Sequence, residues 1–414
     1  MESLSDKLRA LGVKKGAGDL KHPAQPQKAG FDISDVVSGY DLDTPFGKTF
    51  VSEQDYPFEG LRPSPAEDDP LVFIRQWAGF PAEMTHPVEN YVFLDTETSG
   101  LAGGTGTFVF LIGLGYITEI GFHMVQLFMR ELGQEAALLA GLSQFLAPFK
   151  TIVTFNGKSF DVPMLNTRHV LNGFTTPFTG LSHIDLLPLA RRLWRNRLPS
   201  RALKDLEVDI LGMARTDEEV PGWMIPELYY EYLRSGDARP LGGVFYHNAQ
   251  DVVSLGKLLD HVAGLLTHPL RVASDQGLDI IAVARLYEEM KQLDRAVELY
   301  EYSLTSGLPL PFFLDTLRRY ANLYRKQNRW DEAVRLWQKA VEYHQVVACI
   351  ELAKWMEHQR RDFAAALQWA ETAQGYVSEI TAIRLRREMQ RDLERRTLRL
   401  RQKIETASKS NHKD

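Results

Sequence analysis

The sequence predicts an α/β domain, a sheet covered by helices, followed by an all-helical region. Three observations predict it. Apolar runs of strand length cluster between residues 91 and 129. Two more, at 151–155 and 183–187, alternate with stretches of helical spacing. After residue 277 the strand signals stop and an internal repeat begins.

Taken in order, residues 15–35 are rich in Gly, Lys, Pro and Ala and read as a linker. "TPFGKTFVSEQDYP" (44–57) reads as a short β segment. Strands are expected at 91–95 and at 107–116, joined by the Gly-rich turn "GLAGGTGT". A third is expected at 121–129. Residues 134–148 have helical spacing, and 151–155, "TIVTF", make another strand. "FDVPMLNTRHVLN" (160–172) is a helix with Pro163 near its start. "HIDLL" (183–187) is one more strand, and helices follow to about 265. Beyond 277, "DRAVELYEYSL" (294–304) matches "DEAVRLWQKAV" (331–341), with a third copy in "AALQWAETA" (365–373). Ala296, Ala333 and Ala366 are then equivalent, at spacings of 37 and 33 residues. That period fits stacked helix pairs, and this quarter of the chain resembles tetratricopeptide repeats. The expected divisions are an N-terminal extension (1–85), an α/β domain (86–268), helical repeats (277–380) and a basic C-terminal helix and tail (381–414).

Composition bounds the function. Of 414 residues, 44% are hydrophobic and 25% charged, which is ordinary for a globular chain. The single cysteine, Cys349, excludes an intramolecular disulfide and a cysteine-built zinc site, and predicts the reducing cytoplasm. No apolar run approaches the ~20 residues that span a bilayer, and the first residues lack a signal peptide's apolar core. The net charge of −6 is unevenly spread: residues 381–414 hold eight Arg and three Lys against five acids. Local patches, rather than net charge, must therefore decide for or against nucleic acid.

"YVFLDTETSGL" (91–101) places Asp95 and Glu97 two apart at the end of an apolar strand. Residues i and i+2 of a strand share a face, so the two carboxylates point the same way. Like charges held close raise each other's pKa unless a cation lies between them. A hard divalent cation accepts such oxygens. Two further acids accompany the pair. Asp161 opens a helix in "TFNGKSFDVPML", after Asn156 and Phe160. Asp251 lies on a helix in "YHNAQDVVSLGKLL" (246–259). The Gly-Lys-Ser of "NGKS" is no P-loop, since Ile152 stands where that motif needs glycine.

In this order the motifs resemble the DEDD exonucleases of the RNase H-like superfamily. More narrowly, residues 91–259 resemble the YprB-like RNase H-like family, with counterparts for "HIDLL", "PGWMIPELYYEYL" and "HNAQDVVSL". The resemblance implies a mixed sheet flanked by helices. It also implies two Mg²⁺ or Mn²⁺ ions held by Asp95, Glu97, Asp161 and Asp251, and phosphodiester hydrolysis by a two-metal-ion mechanism. Asp95 would bridge both ions. Glu97 and Asp251 would support the site, and Asp161 would act through water. Asn156 and Phe160 would position the substrate strand. One departure stands out. The family's general base is Tyr four residues before the last Asp, or His five before; here Tyr246 is five before and His247 four before. Histidine titrates near neutrality, which favours His247 over Tyr246. His183 and Asp185 are expected to support the fold or contact substrate.

"ARRLWRNRLPSRALKDLE" (190–207) carries Arg191, Arg192, Arg195, Arg197, Arg201 and Lys204 ahead of its first acid, with Trp194 among them. Cations neutralise phosphates and an aromatic ring can stack on an unpaired base, against the plainer reading of a solvated helix with Trp194 in the core. The expectation is a metal-dependent 3′→5′ exonuclease on single-stranded DNA or RNA, with helical repeats open to a protein partner. Its rivals are an inactive scaffold acting through the repeats and a structure-specific endonuclease using the same acids.

Overall fold

A computed structural model describes residues 30–61, 69–100, 106–216, 219–273 and 275–410. Most of the expected linker and of the Gly-rich turn after residue 100 lie outside the described residues. The chain divides into two compact units, one of residues 1–65, 85–186 and 210–259, the other of 66–84, 187–209 and 260–414.

The first unit is built on a seven-stranded sheet: β1 (Tyr40–Thr44), β2 (Gly47–Tyr56), β3 (Tyr91–Thr98), β4 (Val109–Ile117), β5 (Phe122–Phe128), β6 (Thr151–Thr154) and β7 (Ser182–Asp185). Their spatial order is β1-β2-β5-β4-β3-β6-β7. The pairings from β1 to β3 are antiparallel, while β3–β6 and β6–β7 are parallel. The sheet is therefore mixed, as the sequence predicts. The expected β segment at 44–57 proves to be the second arm of a hairpin. Its turn includes Gly47 at φ 113°, a left-handed backbone that glycine adopts without steric cost.

Burial explains why β3 and β4 read as continuous apolar runs rather than alternating ones. Tyr91, Val92, Phe93 and Leu94 are all buried, as is β4 from Val109 to Gly115, because both faces are covered. β3 becomes partly exposed only from Asp95 onward. Its pairing with β6 runs from Tyr91↔Thr151 to Phe93↔Val153 and stops there. Asp95 and Glu97 thus project beyond the last β6 contact. Parallel β3 and β6 end at the same sheet edge, the edge where α/β sheets present their sites. Helix Glu135–Leu146 packs on the sheet through Leu138, Leu139 and Leu142, and helix Ile225–Ser235 adds Tyr229 to the same core. The Tyr229 ring stacks on Phe110 with centroids 3.9 Å apart.

The second unit is helical. It holds Gly277–Glu289, Leu293–Ser303, Leu310–Lys326, Trp330–Val341, Val346–Trp355, Phe363–Val377 and Ile383–Ser410. The three alanines equated by the repeat, Ala296, Ala333 and Ala366, are all fully buried, which is what close helix approach requires of a small residue. Among the described residues, no helix is long and apolar enough to cross a membrane.

Candidate active site

Three segments bring four acids to one sheet edge. β3 supplies Asp95 and Glu97. The loop after β6 turns into helix Asp161–Leu171, whose first residue is the third acid. Helix Leu241–Thr267 supplies Asp251.

Each acid is held by a neighbour. Thr96 Oγ1 donates to Asp161 Oδ1 at 2.6 Å, tying the helix start to β3. Asn248 Nδ2 donates to Asp95 Oδ2 at 3.0 Å, while its Oδ1 accepts from Gln126 Nε2 at 2.9 Å. Asn248 is fully buried, and the close approach is possible because Gly113, paired across from Asp95, has no side chain. A Cβ there would fall 2.4 Å from Asn248 Oδ1. The loop before Asp161 is set by Asp185 at the end of β7. Its carboxylate accepts from the backbone N–H of Asn156 at 2.7 Å and of Lys158 at 3.2 Å. Asn156 has φ 68°, a left-handed conformation that asparagine tolerates better than most residues. Asn156 thus shapes the loop and Asp185 supports it, while the Asp185 charge also contributes to raising the Asp161 carboxyl. His183 bonds Thr154 Oγ1 at 2.8 Å, and burial pushes its imidazole down to about 4.

The electrostatics are those of crowded like charges. Burial, then the charges of Asp251, Glu97 and Asp161, hold the Asp95 carboxyl well above the usual carboxylate range, against the bond from Asn248. Glu97 is raised in the same way, by burial and by Asp251 and Asp161, with Arg215 opposing. Asp161 is pushed up to about 6, chiefly by burial, although the Thr96 bond opposes it.

His247 stands among these acids. Its Nε2 lies 3.6 Å from Asp251 Oδ2 and 4.0 Å from Glu97 Oε1, and its Nδ1 lies 3.5 Å from Glu219 Oε1. Tyr246 has a different partner: its hydroxyl oxygen accepts from the Thr216 N–H at 3.2 Å. Arg215 enters the same cluster. Its Nη2 donates to Asp251 Oδ1, its Nη1 donates to Glu219 Oε1 at 2.8 Å, and Nη1 stands 3.4 Å from His247 Nδ1. Phe160, one residue before Asp161, is 62% exposed.

The donor set is all oxygen apart from one imidazole, the chemistry a hard divalent cation takes. Mutual repulsion gives those oxygens a reason to bind one. Among the described residues, however, no group of three or more His, Cys, Asp or Glu side chains is already spaced to hold an ion. The fit is one of donor chemistry rather than of a preformed shell, and one Asp251 oxygen is engaged by Arg215.

Residues missed from the sequence are Asn248, Arg215, Glu219 and Thr96. Asn248 was within reach, since it lies three before Asp251 on the same helix and next to His247, which the sequence already singles out. Arg215 carried no such signal.

The basic segment 190–207 belongs to the helical unit. Trp194 is fully buried, donates from Nε1 to Asp279 at 3.2 Å and packs against His261, so it presents no face for a base. Leu186, Leu189, Ala190, Leu193 and Trp194 share one face at helical spacing, which is why it turns inward. Arg192 pairs with Glu289 at 2.7 Å and Arg197 with Asp279 at 3.0 Å. Arg201 donates to the Leu198 and Pro199 carbonyls. Arg191, Arg195 and Lys204 are exposed.

Residues 92–263 match the family model described as the RNase_H superfamily. The uncharacterized protein YprB of Bacillus subtilis (strain 168) is 34% identical over 290 residues, covering 68% of each chain. Among solved structures, a family B DNA polymerase from the hyperthermophilic archaeon Pyrobaculum calidifontis is 17% identical with a TM-score of 0.35, covering 62% of this chain and 34% of the polymerase. The chain spans about a third of that polymerase's length. With YprB matched at that identity across two thirds of both proteins, the chain belongs to the YprB family and carries an RNase H superfamily domain at residues 92–263.

Proposed function

We propose that the protein is a metal-dependent nuclease that hydrolyses phosphodiester bonds, acting as a 3′→5′ exonuclease on single-stranded DNA or RNA in the cytoplasm. The observation that carries this reading is the convergence of Asp95, Glu97, Asp161 and Asp251. Three distant segments bring these acids close enough that the charges of Asp161 and Asp251 help to raise the Asp95 and Glu97 carboxyls. A fold gains nothing in stability from such repulsion, so its use must lie in what it binds. Asp95, Glu97, Asp161 and Asp251 would hold Mg²⁺ or Mn²⁺. Bound there, the ions supply Lewis acidity and charge neutralisation at the scissile phosphate.

The chain's own residues do the rest. His247 Nε2, facing Glu97 and Asp251, accepts the proton of the attacking water. The water oxygen bonds to phosphorus as the P–O3′ bond breaks; the 3′-oxygen of the shortened strand leaves and takes a proton from solvent, and the released nucleotide keeps the phosphate. Receiving that proton at Nε2 requires the tautomer whose Nδ1–H faces Glu219 Oε1, 3.5 Å away, in place of the 3.4 Å contact from the Arg215 guanidinium. Phe160 offers a stacking face for an unpaired base next to Asp161. Arg191, Arg195 and Lys204, and more weakly the engaged Arg192 and Arg201, are assigned to the phosphate backbone. In the helical unit, a groove of about 530 Å³ includes Arg318, Asn322, Arg325, Trp337 and Glu351 and is the surface that a protein partner would use.

The test is direct. Purified protein is incubated with 5′-labelled single-stranded DNA and RNA, with Mn²⁺, Mg²⁺ or EDTA, beside Asp95→Ala. A metal-dependent ladder shortening from the 3′ end, absent in the variant, is expected. Internal cuts would assign an endonuclease, and no cleavage of either polymer would favour the scaffold.

A further inference from the structure

The acid cluster already contains a cation of its own. Arg215 lies in the segment leading into helix Ile225–Ser235, and its side chain is only 10% exposed. Its guanidinium binds Asp251 Oδ1 with one nitrogen and Glu219 Oε1, 2.8 Å away, with another. Two features make this more than a surface ion pair. First, Asp251 is one of the acids that the nuclease reading gives to metal. Second, Glu219 is a separate carboxylate, only four residues along, that can keep the guanidinium paired if Asp251 turns elsewhere. Arginine cannot shed its proton to make room for another cation. It must be displaced, and Glu219 is its partner when it is.

We propose that Arg215 is a resident counter-cation of the acid cluster, competing with divalent metal for Asp251 and yielding to it while retaining Glu219. The inference rests on the nuclease reading of the site. It explains how four crowded acids fold together before an ion arrives. It also means that metal affinity is set by the difference between two cations on one carboxylate. The opposite role is physically reasonable: Arg215 could hold Asp251 in place for the ion through the oxygen that the ion does not use. The two roles predict opposite signs when the guanidinium is removed.

Calorimetric titration of the full chain with Mn²⁺ at neutral pH separates them. Arg215→Gln should bind Mn²⁺ about tenfold more tightly than the parent chain, and Arg215→Lys should fall between. The thermal signature should be paired with this. In EDTA the Arg215→Gln chain should melt below the parent, and Mn²⁺ should raise its melting temperature by more. If Arg215→Gln does not fold, the sign of the change in Arg215→Lys decides. Unchanged or weaker affinity overturns the inference and leaves the nuclease reading standing. Mn²⁺ binding by neither parent nor variant removes both.

Discussion

Glu357 and Asp161 are acids withdrawn from solvent in different units, and their surroundings are opposite. Glu357 is 2% exposed, in the helical unit, and accepts from Arg396 at 2.9 Å, Arg399 at 2.8 Å and Lys403 at 2.9 Å. Burial works against its charge, yet the bonds from Lys403 and Arg399 carry its carboxyl below the usual value. All three cations come from helix Ile383–Ser410, so the cluster fixes that helix in rotation and register. Asp161 shares its site with Asp95, Glu97 and Asp251, and burial, with the charge of Asp185 behind it, lifts its carboxyl to about 6. One site has more cations than acids and is settled. The other has more acids than cations and is unsettled. A buried charge that is fully paired reads as architecture, whereas acids that repel one another read as a site waiting for a partner.

The largest expected effect breaks the unsettled site chemically. Asp95→Asn should lower metal-dependent cleavage on the order of 10⁴-fold, equivalent to about 5 kcal/mol of barrier. The same substitution removes a repelling charge and should leave the melting temperature in EDTA unchanged or higher. A variant that lost activity by unfolding would erase the contrast with Glu357.

Glu357→Ala attacks the settled site and should behave the other way. Leaving Arg396, Arg399 and Lys403 without their acid should cost roughly 3 kcal/mol, the low end for breaking a buried ion pair, because the Arg399 and Lys403 side chains are 48% and 39% exposed and regain water. Hydrogen exchange localises the loss: amides of residues 383–410 should exchange faster while those of β3 and β4 stay protected. Undiminished protection in 383–410 would mean that the cluster does not hold the helix.

The third effect is smaller and depends on pH. The folded-state pKa of Asp161, about 6, lies above its ordinary 3.8. Folded protein therefore binds more protons than unfolded between these values, and metal-free stability must fall as pH rises through that window. A shift of about two pH units corresponds to roughly 3 kcal/mol. Asp161→Asn should flatten the decline of melting temperature from pH 4 to pH 7 in EDTA. An equally steep decline in the variant would assign the pH dependence to other groups.

The same contrast shows what the sequence could reveal. β3 and β4 were legible because two covered faces demand unbroken apolar runs. Asp95 and Glu97 were legible because a strand fixes alternate residues on one face, and Asp161 and Asp251 because their local motifs are specific. β1 was not, since the sheet-edge strand "YDLDT" is mostly polar and exposed. Arg215 escaped for a different reason. Its importance comes from a partner 36 residues away, and no local pattern encodes that pairing. Trp194 was the reverse case. Its helical spacing already placed it with Leu186, Leu189 and Leu193 on the buried face, and the neighbouring arginines drew attention from that signal.

The smallest effect concerns the cations around Trp194, now without an aromatic platform. Arg191, Arg195 and Lys204 can serve substrate only through charge, and a purely electrostatic contact has its own signature. Each phosphate neutralised on a single strand contributes about 0.7 to the slope of log affinity against log salt. Replacing all three by Gln should therefore lower the slope for single-stranded DNA by about 2, with little sequence dependence. Arg192→Gln should change it less, because Glu289 already engages that guanidinium at 2.7 Å. Fluorescence anisotropy over a salt series, in EDTA to prevent cleavage, reads both. An unchanged slope in the triple variant would make the segment a solvated face of the helical unit. Backbone contacts would then have to come from the carboxylate-bearing unit itself.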